Sequence, residues 1–168
     1  MGIESTCVLY YRVQAKTNMS YTTHSEEVIN AIKLLDINAK ILPEDICTTI
    51  LERVIKRFTN LKKYEYPIWE NMISQKSVRG EHVWQLLAKV LNQKEIVFFF
   101  DNVDDKNMFL FPNGNVISDV IAESFGFIFY ITNIENEFLL AYNDHDYLIG
   151  AGEAIAWIDD IQSGKYNS

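Results

Sequence analysis

Residues 127–157 limit what this chain can fold into more than any other stretch. Two rows of β-formers, Phe127-Ile-Phe-Tyr-Ile131 and Phe138-Leu-Leu-Ala-Tyr142, are separated only by Thr132-Asn-Ile-Glu-Asn-Glu137. Such runs joined by a short polar connection predict an antiparallel hairpin. A polar corner, Asn143-Asp-His-Asp146, comes next. Tyr147-Leu-Ile-Gly-Ala-Gly152 then leads into an Ala/Ile/Trp segment whose spacing predicts a helix over about 151–161.

The preceding stretch has the same character. Ile96-Val-Phe-Phe-Phe100 is a solid apolar run ended by Asp101, as expected of an inner strand covered on both faces. Met108–Phe111 is a second strand, and Pro112-Asn-Gly114 a turn. A helix over about 116–125 would bury Val116, Ile117, Val120, Ile121 and Phe125, with Gly126 at a left-handed C′ position. Before Glu95 the pattern is mostly helical. Thr23 and Glu26 form a capping-box signature for a helix over about 24–36. Pro43 opens a second helix whose stripe is Ile46, Ile50, Leu51, Val54, Ile55 and Phe58. A third is expected over about 80–92, and residues 6–13 are strand-like with their place in a sheet open. The sum is one compact α+β domain, 1–168, with a helical part (1–94) followed by ββαββα (95–161). That order implies a mainly antiparallel sheet of about four strands flanked by helices.

Composition excludes several classes. With 48% apolar and 13% aromatic residues the chain is not disordered. No apolar run approaches the ~18 residues of a membrane span. The first residues lack the basic-then-apolar pattern of a signal peptide, which predicts a cytoplasmic protein. Cys7 and Cys47 are too few and too far apart for a disulfide scaffold or a zinc site, and read as reduced thiols.

Two acidic clusters invite a chemical reading. Asn143-Asp-His-Asp146 offers two carboxylates around an imidazole, suited to a cation or an oriented base. Neighbouring side chains on an extended segment point to opposite faces, however. A polar strand-to-helix corner bonding its own backbone N–H groups is the simpler account. Asp101, Asp104 and Asp105 at a strand end attract hard cations, but the Gly and distal Glu of an EF-hand loop are missing. No nucleophile elbow, P-loop, paired-His helix or CxxC pair is present. His24 and His82 lack a second His at helical spacing, and Lys62, Lys63, Tyr64 and Tyr66 make too small a basic-aromatic patch for nucleic acid. The expectation is no catalytic site and no cofactor.

Charge points to a protein partner. The net charge of −8 divides into +3 up to Lys94, from 13 Lys/Arg against 10 Asp/Glu, and −11 beyond it, from 2 against 13. An acidic half repels nucleic acid and steers towards a basic protein, although a solvated surface explains the same count. The candidate contact residues are Asp101, Asp104, Asp105, Glu135, Glu137, Asp144 and Asp146, with Tyr142 and Tyr147 as aromatic anchors.

Region 95–160 resembles small bacterial immunity proteins of contact-dependent inhibition and polymorphic-toxin systems. The likeness lies in the apolar strand ending at Asp101, Glu123-Ser-Phe-Gly-Phe127, Tyr130-Ile-Thr-Asn133, and Asn143-Asp-His-Asp-Tyr-Leu-Ile149 before a Gly/Ala/Trp helix. The helical first part has no counterpart in it. The resemblance implies a non-enzymatic inhibitor that binds the toxic domain of a cognate toxin, a basic nuclease. A metal-dependent hydrolase using Asp101 with the Asp144–Asp146 corner, and a regulatory adaptor domain, are the alternatives.

Overall fold

Ile96–Phe99 has no polar face, so both sides of the strand must be covered, and they are. The computed structural model describes residues 22–124 and 126–167. Helices lie on both faces of one antiparallel sheet, so the expected α+β class holds. The expected size of the sheet does not: it has seven strands, not about four.

In chain order the elements are α1 (His24–Leu34), β1 (Lys40–Ile41), α2 (Glu44–Phe58), a 3-10 turn at Ile68–Asn71 and β2 (Gln75–Arg79). Another 3-10 turn, Val83–Leu86, runs into α3 (Leu87–Val90). Then come β3 (Ile96–Phe99), β4 (Met108–Phe111), a short 3-10 turn and α4 (Ile117–Ala122). The chain closes with β5 (Phe129–Thr132), β6 (Phe138–Tyr142), β7 (Tyr147–Gly152) and α5 (Ala154–Gln162). The strand order is β1-β4-β3-β5-β6-β7-β2, antiparallel throughout.

Three strands were not expected, for two reasons. β1 has two residues and β2 reads Gln-Lys-Ser-Val-Arg, so neither carries an apolar alternation. Both are edge strands, where charged residues and short length keep other chains from pairing. The part expected to be mostly helical therefore supplies both rims of the sheet. β7 was read as a corner and a helix start. Instead it sends Leu148 to one core and Ile149 to the other, while Gly150 lets α5 pack directly on the strand. A Cβ on Gly150 would stand 2.8 Å from Ile158 and 2.9 Å from the Ala154 carbonyl.

The sheet separates two apolar layers. On one side α2 lays Ile50, Leu51, Val54 and Phe58 over Val97, Phe99, Tyr130 and Leu139. On the other α1, α3, α4 and α5 cover Phe98, Phe111, Phe129, Ile131 and Leu140. There Phe98 meets Phe100, Phe111 and Phe127 edge to face, the arrangement aromatic quadrupoles favour.

Helix signals fared unevenly. The Thr23–Glu26 capping box forms as expected. The helix expected over 80–92 is a 3-10 turn and a single α turn, although Val83, Leu87, Val90 and Leu91 are buried. α4 stops at Ala122 with Glu123 as its C-cap, so Gly126 is not at the C′ position. The expected strand at 6–13, and Cys7 with it, lies outside the described residues.

Candidate functional site

The apolar run of β3 carries Asp101 to one end of the sheet and seals it there. Its side chain is wholly buried, which costs free energy unless the charge is hydrogen-bonded. Oδ1 accepts from the Ile68 N–H (3.1 Å) and the Tyr64 hydroxyl (3.3 Å), and Oδ2 from the Tyr130 hydroxyl (2.6 Å). Its backbone carbonyl accepts from the N–H groups of Asp104 and Asp105. The Tyr130 hydroxyl accepts from Trp69 N–H, and that of Tyr64 from Val103 N–H. One residue thus ties the loop 61–69 and the loop 101–107 to the sheet.

Burial pushes the Asp101 carboxyl above its usual range, against the hydrogen bonds from Tyr130, Ile68 and Tyr64 that favour its charge. Burial and then the Asp101 charge push Tyr64 up to about 12, and they raise Tyr130 as well. Asp101 is accordingly a buried clamp and not a surface contact.

What this end of the sheet presents is mixed in character. Tyr66, Val103 and Tyr147 are large apolar residues left 54%, 65% and 37% exposed. Burial raises the Tyr66 hydroxyl, and so do the carboxylates of Asp104, Asp101, Asp144 and Glu70. Groups from three separate segments therefore act on one ring. Trp69 stands edge-on to His145, centroids 6.0 Å apart, so the 68–71 turn and the β6–β7 loop meet. Arg79 lies over the Tyr147 ring at 5.8 Å.

The nine residues selected from the sequence do not form one surface. Asp104 and Asp144 are exposed at this end. Asp105 turns inward, its carboxylate accepting from the N–H groups of Ser25 (2.9 Å) and Asn107 (3.0 Å). Burial alone would raise Asp105, but the bonds from Ser25 and Asn107 and the nearby His24 bring it below its usual range. Tyr142 is half-buried with its hydroxyl on Asp146 Oδ1 at 2.9 Å, and burial followed by Asp146 raises that hydroxyl. Tyr147 is exposed beside them. Glu135 and Glu137 sit in the β5–β6 turn, at the other end of strands that rise about 13 Å over four residues.

Asn143–Asp146 is the loop of the β6–β7 hairpin and not a strand-to-helix corner. The Asn143 carbonyl oxygen Oδ1 accepts from the N–H groups of His145 (3.1 Å) and Tyr147 (3.0 Å), and Asp146 has φ 62°. The self-bonding expected of the tetrapeptide is present; its context differs.

Tyr66, Glu70 and Val103 were missed. The available signal was Tyr64-Glu-Tyr-Pro-Ile-Trp69, three aromatic residues in a short polar connection. Among the described residues, no three His, Cys, Asp or Glu side chains are grouped to hold a metal ion. Among them, too, no helix is long and apolar enough to cross a membrane. No protein-family model, curated protein or solved structure matches the chain.

Proposed function

We propose that the chain is a non-enzymatic immunity protein of the cytoplasm that binds and neutralises a cognate bacterial toxin domain, a basic nuclease, through the Asp101 end of its sheet. The observation that carries the reading is exposed Tyr66 with Asp104, Asp144 and Glu70 near it, and exposed Val103 and Tyr147 at the same end of the sheet. Aromatic and apolar side chains supply area that gains on leaving water, whereas surrounding carboxylates speed encounter with a basic surface and reject acidic ones. Preorganisation supports it further. The loops that carry Tyr66 and Val103 are already fixed through Asp101, so little ordering entropy remains to be lost on binding. The resemblance of residues 95–160 to immunity proteins supplies the class of partner.

The test is calorimetric titration of the protein with the C-terminal domain of a toxin encoded next to it. A one-to-one complex that weakens with salt, and weakens again in Tyr66→Ala, is expected. A complex unaffected by changes at Tyr66, Val103 and Tyr147 would move the interface elsewhere. No complex with any such domain would sink the reading.

A further inference from the structure

One flank of α2 lines a second surface of opposite character. Glu44, Thr48, Glu52 and Lys56 recur every four residues along one wall of a cleft of about 750 Å³. Its floor is Cys47, Leu51, Ile55 and Met108, and its opposite wall is residues 61–64 with Asn102 and Lys106. From Glu44 to Lys56 the helix rises about 18 Å, the length of roughly five extended residues.

Lys62, Lys63 and Lys106 stand on that opposite wall and Lys56 at the C-terminal end of the α2 wall, all exposed. Among the described residues none of the four is ion-paired, whereas Lys76 and Lys165 pair with Asp159 and Asp160. In a chain of net charge −8, four unpaired ammonium groups against the two carboxylates of Glu44 and Glu52 leave this apolar-floored cleft locally positive, a field that an anion on the lysine side would relieve.

We infer that this cleft docks an acidic polypeptide segment of a partner, with carboxylates along the lysine wall and apolar side chains on the floor. The two walls select the ligand class. Glu44 and Glu52 on the α2 wall repel a phosphate backbone, which is charged along its whole length. A peptide that carries carboxylates on one side and apolar groups on the other meets no such repulsion. The chain's own residues 1–21 are not the complement, since they hold Arg12 and Lys16 against Glu4. This surface goes beyond the toxin contact and does not depend on it.

The test uses amide chemical shifts of the isotope-labelled protein, which register millimolar affinities. Three probes are titrated: a short peptide alternating Glu and Leu, the same peptide with Gln for Glu, and oligouridylate. The Glu peptide is expected to shift amides of 61–64, 102–106 and α2, and Lys62→Glu with Lys63→Glu to weaken it by about tenfold. Both substitutions are at exposed positions, and the unchanged remainder of the spectrum reports that the fold persists. The inference is overturned if the Glu peptide gives no shifts or shifts other residues. Equal binding by the Gln peptide, stronger binding by oligouridylate, or an unaffected double variant would overturn it too.

Discussion

The two ends of the sheet are both acidic and are built differently. At the Asp101 end the carboxylates of Asp104 and Asp144 lie near exposed Tyr66, and Val103 and Tyr147 are exposed at the same end. At the other end Glu135 and Glu137 lie beside Glu95, Glu153 and Lys94 around a small cavity of about 200 Å³, with no exposed large apolar residue among them. The β5–β6 turn there is bonded largely within itself, with Asn136 Oδ1 left unpartnered. Asn133 accepts from the Glu137 N–H (2.9 Å) and donates to its carboxylate (2.7 Å), and Thr132 donates to the Phe138 carbonyl (2.6 Å). Charge alone does not distinguish the ends. Apolar anchors held by a buried clamp do.

The comparison breaks most visibly at the clamp. Asp101→Ala leaves the Tyr130 hydroxyl and the Ile68 N–H without an acceptor in a sealed site, and should cost about 3 kcal/mol in urea unfolding. Glu137→Ala at the opposite end should cost less than ~1 kcal/mol, because its bonds are exposed. Equal costs would mean that Asp101 does not organise its end.

Affinity for the toxin domain sharpens the contrast next. Tyr66→Ala should lose about 2 kcal/mol, close to thirtyfold in Kd, whereas Glu135→Ala stays within ~0.5 kcal/mol. A larger loss at Glu135 would exchange the roles of the two ends. Charge reversal has a smaller effect, on rate. Asp104→Lys or Asp144→Lys should lower the association rate about tenfold at low salt and leave dissociation nearly unchanged, as stopped-flow mixing would register. A change confined to dissociation would contradict a steering role.

The smallest expected effect is a pair of opposite pH slopes within the Asp101 end. The folded-state pKa of Asp101 is raised, so its favourable contribution is full below the unfolded value near 3.8 and is lost as pH rises through the folded one. For Asp105 it is lowered, so its contribution is present above that value and lost as pH falls through the folded one. Asp101→Asn should flatten the decline of stability with rising pH, and Asp105→Asn the loss in acid. Unfolding midpoints measured from pH 2 to 7 would show the slopes, and two slopes of one sign would contradict the assignment.

Much of this was legible in the residues, and the losses have particular causes. The β5–β6 hairpin, the buried run Ile96–Phe100 and the capping box of α1 rest on local rules of period and capping, and all three form. β2 has no period because an edge strand beside solvent needs none. The Gly150-Ala-Gly152 end of β7 carries no strand signal, because glycine favours neither structure, and only the packing of α5 against Gly150 decides. Of the candidate site, Asp104, Asp144 and Tyr147 are at the surface at one end, whereas Asp101 is interior and Glu135 and Glu137 are elsewhere.

By itself the sequence determined which segments are apolar enough to need covering, where charge accumulates, and that the fold is α+β. Those properties belong to single residues and their near neighbours. Tertiary structure alone decided which acidic residues share a surface. Strand order brings 61–70, 101–107 and 143–147 to one end of the sheet and sends 133–137 to the other, through pairings between residues far apart in the chain. The same carboxylate is a clamp when a strand carries it into the interior and a contact when a loop leaves it in water.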